Sequence, residues 1–212
     1  LSGGSNSSAY AISDDGNVIV GYSNSTNGIR AFKYDSTNGM TSLGTLDGSI
    51  HGSYAQAVSA DGSVIAGYSD TTDGYRAFTY DSTNGMTSLG VLSGGSLSTA
   101  IDVSNDGSII VGYSGSTDGN RAYRYDSTNG MTSLGVLTGG SSSIAYGISG
   151  DGYIIVGGSD STDGFRAFRY DSTSGMTSLG VLSGYDTSIA TGISNDGTVI
   201  FGYSTSGSEP RA

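Results

Sequence analysis

An eleven-residue phrase, YDSTNGMTSLG, stands at residues 34–44, 80–90 and 125–135, and a fourth copy at 170–180 differs only in Ser174 where the others have Asn. Self-similarity at a fixed period means one supersecondary unit stacked on copies of itself, because a single unit cannot bury its own apolar face. The alanines that open the units, Ala9, Ala55, Ala100, Ala145 and Ala190, lie 46, 45, 45 and 45 residues apart. The 212 residues thus divide into units 1–45, 46–91, 92–136, 137–181 and a truncated 182–212, forming one repeat domain.

Each unit holds up to four short segments of strand character separated by turn residues. The first, AYAIS in unit one, alternates, with small residues on one face (Asp102 is the exception) and Ile or Val on the other. The second, such as VIVGY (18–22) and IIVGY (109–113), is apolar and β-branched throughout, the pattern of a strand covered on both faces. An Asp-Gly pair joins these two, a strong hairpin signal because Gly adopts positive φ without penalty. The third, RAFKY and its relatives, carries Phe or Tyr on one face and runs through DSTNG into the fourth, MTSLG. That turn is expected to use both Asn and Gly in the left-handed region, with Asp bonding its own backbone.

Four antiparallel strands per ~45 residues with no helical period predict an all-β fold, a β-propeller of about five four-stranded blades whose last blade is incomplete. Small residues on the first strand suit an innermost strand crowded round a central channel. In that geometry the Asp-Gly and DSTNG turns share one face of the ring, and they barely vary between copies. The loop before the third strand and the connections between units share the other face, and they vary. The variable face is where differences between copies would make a binding site. Candidates there are Tyr75, Asn120 and Phe165, which close the variable loops, and Arg76, Arg121 and Arg166 beside them. Loop aromatics suit sugar or protein contacts. The arginines recur at one place in each copy (Arg30 and Arg211 complete the set), so capping of loop carbonyls is the competing account.

The segments LGTLDG (43–48), SADGSVIAGYS (59–69), RAF (76–78) and GMTSLG (85–90) recur in the order and spacing of the HAF-type bacterial extracellular repeat, which the whole chain resembles. The eponymous His-Ala-Phe is Arg-Ala-Phe here, and Arg-Ala-Tyr at 121–123. The resemblance implies a secreted or surface-displayed bacterial protein and brings no catalytic residues with it. The Ser-x-Asp-Gly turns also resemble the Asp-box hairpins of sialidase propellers, which are structural.

Charge and composition narrow the function. Eight Lys and Arg stand against nineteen Asp and Glu, a net charge of −11 that disfavours a nucleic-acid partner. No apolar run nears the ~20 residues of a membrane span, so membrane insertion is not expected. Cysteine is absent, which removes disulfides and thiolate metal sites. His51 is the one histidine and Glu209 the one glutamate, too few for an asymmetric acid–base or glycosidase pair. The Asp- and Asn-rich loops lack the calcium-loop pattern, so neither metal nor cofactor is expected. Asn6 and Asn24 fit the N-glycosylation pattern, one that chance produces readily in a Ser-rich chain.

The fifth unit lacks the counterpart of residues 168–181, which would leave the edge of its second strand unpaired and open to another chain. These features predict a non-catalytic extracellular or cell-surface module with a structural, adhesive or self-assembling role, completed by neighbouring repeats or by a homo-oligomer. The alternative is a lectin-like propeller that binds glycans on its variable face.

Overall fold

The computed structural model describes residues 1–48, 50–206 and 209–211, with side chains described through residue 206. The described residues contain strands and turns and no helix. Sheet 1 comprises β1 (Ser7–Ile12), β2 (Ile19–Ser25), β3 (Gly28–Asp35) and β4 (Gly39–Gly44). Sheet 2 comprises β5 (Ser53–Val58), β6 (Ile65–Thr71), β7 (Gly74–Asp81) and β8 (Gly85–Gly90). Sheet 3 is built of β9 (Ser98–Val103), β10 (Ile110–Ser114), β11 (Arg121–Asp126) and β12 (Gly130–Gly135). Sheet 4 follows with β13 (Ser143–Ile148), β14 (Ile155–Ser159), β15 (Arg166–Asp171) and β16 (Gly175–Gly180). Sheet 5 has β17 (Thr187–Ile193), β18 (Ile200–Ser206) and β19 (Glu209–Arg211). Within each sheet the strands pair antiparallel in chain order.

The Asp-Gly hairpins owe their uniformity to one hydrogen-bonded box. In sheet 2, Ser59 Oγ accepts from Val64 N (3.0 Å) and donates to Asp61 Oδ1 (2.8 Å), which also accepts from Ser63 N (2.9 Å). Gly62 between them sits at φ +73°. These donors hold the Asp61 carboxyl down at about 2, the Ser63 amide being the largest influence. In the DSTNG turn, Asp35 Oδ1 accepts from Thr37 N and Asn38 N, and Gly39 takes φ +67°. Asn38 does not take positive φ, contrary to the sequence expectation: Gly alone supplies the left-handed residue, and Asn38 uses its amide to clamp Asp35.

A bulge in every first strand overturns the simple alternation. In β5, Ala55 pairs with Gly67 and Ala57 with Ala66, so Gln56 is the extra residue. Ala55 and Ala57 therefore point to opposite faces. Ala55 enters the core between sheets 1 and 2 with Val20, Ala31, Ile65 and Phe78. Ala57 enters the core between sheets 2 and 3 with Ala66, Leu89, Ala100, Ile110 and Tyr123. The small residues thus admit the close approach of neighbouring sheets rather than line a single channel-facing surface. The same pattern repeats between sheets 3 and 4, around Val111, Ala122, Ala145, Ile155 and Phe168. The second strands of sheets 1 to 4 are buried as their composition predicts, Val20, Ala66, Val111 and Val156 all being 0% exposed, whereas Phe201 at the same place in sheet 5 is exposed.

A second bulge lies between the third and fourth strands, where Ala77 pairs with Gly90 and Phe78 with Ser88. It frees the Ala77 amide from the ladder, and a serine from the next sheet takes it. Ala77 N donates to Ser98 Oγ (2.9 Å), and Ser98 Oγ donates to Gly90 O (2.6 Å). Ser53, Ser143 and Ser188 make the same bridge at the other junctions. Each junction between sheets is therefore an apolar core closed by one buried serine.

The five first strands surround a cavity of about 360 Å³. Its lining takes Tyr10 from β1, Gln56 from β5, Ile101 from β9, Tyr146 from β13 and Thr191 from β17. At one mouth the Asp-Gly turns are linked in sequence: Ala60 N to Asn105 O, Asn105 N to Gly150 O, and Gly150 N to Asn195 O, all about 3 Å. Asn195 Nδ2 then donates to Asp14 Oδ2 (3.1 Å), joining the last sheet to the first.

The edge of the fifth sheet is only partly open. β19 pairs with β18 at Ser204–Arg211, Thr205–Pro210 and Ser206–Glu209, and among the described residues Ile200 to Gly202 have no ladder partner on that side. The expectation of a wholly unpaired second strand is corrected to this inner half. The side chains of Glu209 and Arg211 lie outside the described residues.

Candidate binding site

The mouth opposite the linked turns carries a collar of tyrosines. Their rings run in contact from sheet 1 into sheet 2: Tyr10–Tyr22 tilted at 5.6 Å, Tyr22–Tyr54 T-shaped at 5.2 Å, Tyr54–Tyr68 stacked at 4.8 Å, and Tyr68–Tyr75 T-shaped at 5.7 Å. Such offset and T-shaped pairs fix ring positions beyond what area burial alone would do. Beyond Tyr68 and Tyr75 the collar opens into a cavity of about 470 Å³, lined by Gln56, Tyr68, Tyr75, Thr99, Ile101, Tyr113 and Tyr146. Gln56, Ile101 and Tyr146 also line the central channel, so the two spaces share these three side chains.

Local structure explains how these residues arrive there. Gln56, Ile101 and Tyr146 occupy the bulge of their strands, which turns them out of the sheet-to-sheet cores toward the channel. Tyr68 and Tyr113 pair with Ala77 and Ala122, whose small side chains leave their rings room. Burial raises the Tyr68 hydroxyl to about 12, with the hydroxyl of Tyr54 as the next influence. Tyr146 is raised by burial first, then by Tyr203 and Tyr113. At neutral pH these hydroxyls are protonated, able to donate and accept.

Behind the collar, Asp70 has a buried carboxylate oxygen, Oδ1, with no hydrogen-bond partner among the described residues. The equivalent Asp160 accepts from both Ser141 and Ser142. Sheet 2 has His51 and Gly52 in place of those serines, which leaves Asp70 without hydroxyl donors and adds its charge to the forces raising Tyr54. Asp102 projects from β9 toward sheet 4 and is raised to about 6 by desolvation, despite accepting from Ile148 N and Val103 N at 2.9 Å each.

The residues singled out from sequence divide. Tyr75 is 48% exposed and belongs to the collar. Phe165 is half-buried, its ring over Gly158, in the space that Tyr22, Tyr68 and Tyr113 fill in other sheets. Asn120 is exposed and outside the cavity lining, and its carbonyl accepts from Ser143 N. The arginines are engaged by backbone: Arg76 Nη1 donates to Ser96 O (2.6 Å), Tyr75 O (3.0 Å) and Asp73 O (3.3 Å). Arg121 reaches Asn120 O and Ser141 O, and Arg166 reaches Asp163 O, Phe165 O and Asp186 O. Each ties a third strand to the connection entering the next sheet. His51 pairs with Asp47 at 3.2 Å, and among the described residues no group of three or more His, Asp or Glu is placed to hold a metal.

No family model matches the sequence, and no curated protein does. Solved structures do match in fold. TolB from Acinetobacter baumannii aligns with a TM-score of 0.61 at 18% identity over 97% of this chain and 56% of its own, so the chain spans little more than half its length. A putative TolB from Agrobacterium tumefaciens gives 0.63 at 17% identity, over 92% of this chain and 72% of its own. A prolyl endopeptidase gives 0.56 at 12% identity, over 85% and 29%. At these identities the likeness carries architecture and no activity. The chain has an all-β fold of the β-propeller type.

Proposed function

We propose that the protein is a non-catalytic extracellular or cell-surface module, a propeller of about five blades with an incomplete fifth, whose role is structural or adhesive and works through self-association. One observation carries this reading. At every internal junction, the forward face of a second strand meets the opening alanine of the next sheet, and both are buried. In sheet 5 the forward-facing Phe201 is 58% exposed, where its counterparts are 0% exposed. Val199 beside it is also 58% exposed. On the opposite face of sheet 1, Ala9 is exposed and Ile12 is 57% exposed, whereas Ala55, Ala100 and Ala145 are 0%. Phe32, further out on that face, stays buried.

The two bare surfaces are the two halves of the interface the chain repeats internally. Within one chain Ile12 and Phe201 border the same central cavity and the two sheets are joined at Asn195–Asp14; pairing of one copy's first sheet with another copy's fifth is the heterologous contact that would form rings or filaments. Ser7, in the place of the bridging Ser53 and Ser98, is exposed as well. The resemblance to extracellular repeats and the Gly- and Ser-rich, acidic composition support the location.

Light scattering across a hundredfold concentration range, with negative-stain microscopy, tests the proposal. Rings or filaments that Phe201→Asp abolishes would support it. A monodisperse monomer at every concentration would overturn it.

A further inference from the structure

We infer that the tyrosine-lined cavity at the channel mouth is a binding site for a neutral saccharide. The inference rests on the chemistry of the lining and does not require self-association. The walls offer aromatic rings from Tyr68, Tyr75, Tyr113 and Tyr146, a carboxamide from Gln56 and a hydroxyl from Thr99. Among the described residues no charged side chain lines the cavity, so an anionic ligand would be stripped of water with no opposite charge to compensate it. A pyranose presents an apolar C–H face to an aromatic ring and hydroxyls around its edge. It therefore matches tyrosine hydroxyls, which donate and accept, and an amide, which does the same. The volume of about 470 Å³ falls within the roughly 300–1,000 Å³ of small-molecule sites, enough for more than one sugar ring.

Variation between copies supports the same conclusion independently. The units share nearly all their turn, core and bridging residues, yet they differ where the cavity is lined. The bulge position reads Tyr10, Gln56, Ile101, Tyr146 and Thr191, and the position two before it reads Ser8, Tyr54, Thr99, Ile144 and Ile189. A purely structural mouth has no need of that asymmetry. A site that holds one ligand in one orientation does. The arginines, already engaged by carbonyls, are not part of this site.

The protein contains 15 tyrosines and no tryptophan, so its intrinsic fluorescence is that of tyrosine, and Tyr10, Tyr22, Tyr54, Tyr68, Tyr75, Tyr113 and Tyr146 of the collar and cavity contribute to it without labelling. The probes are linear hexasaccharides of glucose, N-acetylglucosamine and mannose, titrated against the whole chain, with tetramethylammonium as a cationic comparison. At least one saccharide should give saturable quenching confirmed by calorimetry. Tyr113→Ala and Gln56→Ala should each weaken it by about tenfold or more, while Tyr34→Ala, outside the collar, leaves it unchanged. Circular dichroism checks folding; if Tyr113→Ala unfolds, Gln56→Ala alone decides, because it removes no core side chain. Absence of binding by every saccharide overturns the inference. So does binding that survives Gln56→Ala, or saturation by tetramethylammonium alone, which would make the collar a cation cage.

Discussion

Asp102 Oδ2 accepts a hydrogen bond from the amide of Ile148, 2.9 Å away on the first strand of the next sheet. No other unit has a carboxylate here; the equivalent residues are Ala11, Ala57, Gly147 and Gly192. The bond crosses between innermost strands, so it pins sheet 3 to sheet 4 at the channel wall. The cost is desolvation, which raises the carboxyl to about 6.

This raised value predicts a pH dependence with a definite sign. The folded pKa lies above the unfolded one, so folding favours the protonated group. Its contribution is fully present below about pH 4 and is lost as pH rises through about 6, with an upper bound on the order of 2–3 kcal/mol. The turn aspartates, such as Asp61 and Asp196, are lowered and give the opposite trend, weakening the fold as pH falls. Urea unfolding of the wild type and of Asp102→Ala at a series of pH values separates the two. The wild-type minus variant difference should fall between pH 4 and 6 and then level off. A flat or rising difference would contradict the assignment.

Tyr123 gives a second prediction. It is 0% exposed, and its hydroxyl has no hydrogen-bond partner among the described residues. Phe78 and Phe168 fill the same place in the sheets on either side. Burying an unpartnered hydroxyl costs about 1–3 kcal/mol, so Tyr123→Phe should raise the unfolding free energy by about 1 kcal/mol or more. A lower melting temperature in the variant would mean that the hydroxyl has a partner after all.

Much of the architecture is legible in the sequence because its causes are local. The 45-residue period, the Asp-Gly boxes and the double-sided burial of Ile110 and Val111 all follow from residues within a few positions of one another. The bulge at Tyr10, Gln56 and Ile101 is less visible. One extra residue in a five-residue segment shifts every later side chain to the other face, and AYAIS reads equally well as plain alternation. The collar is hidden for a different reason. Tyr68, Tyr113 and Tyr146 come from three units and meet only when the first strands surround one channel. Ser98 likewise looks like one serine among many, until a bulge two strands away leaves the Ala77 amide in need of an acceptor.

That dependence makes Ser98 a test of the junctions. Ser98→Ala leaves both the Ala77 amide and the Gly90 carbonyl without their bridging partner. The expected loss is about 1–3 kcal/mol, large for one hydroxyl because two backbone groups lose their partner together. Hydrogen exchange should show the effect locally: the Ala77 amide should exchange faster, while amides in sheet 4 keep their protection. Uniformly faster exchange would indicate a general destabilisation and count against the bridge.

The arginines offer the last discrimination, between fastening and recognition. Arg76 donates to three carbonyls, two near its own strand and one, Ser96 O, in the connection to sheet 3. A guanidinium so engaged supplies positive charge to backbone dipoles, and its neighbour Tyr75 is left to face the cavity. Arg76→Ala should therefore lower the unfolding free energy by about 1 kcal/mol while changing saccharide affinity less than about twofold. Tyr75→Ala should do the reverse: a 48%-exposed ring contributes little to the core but forms one wall of the cavity. Measuring urea unfolding and fluorescence titration on both variants separates the roles. If Arg76→Ala abolished binding at unchanged stability, the repeated arginine would be a ligand contact and the carbonyl bonds incidental.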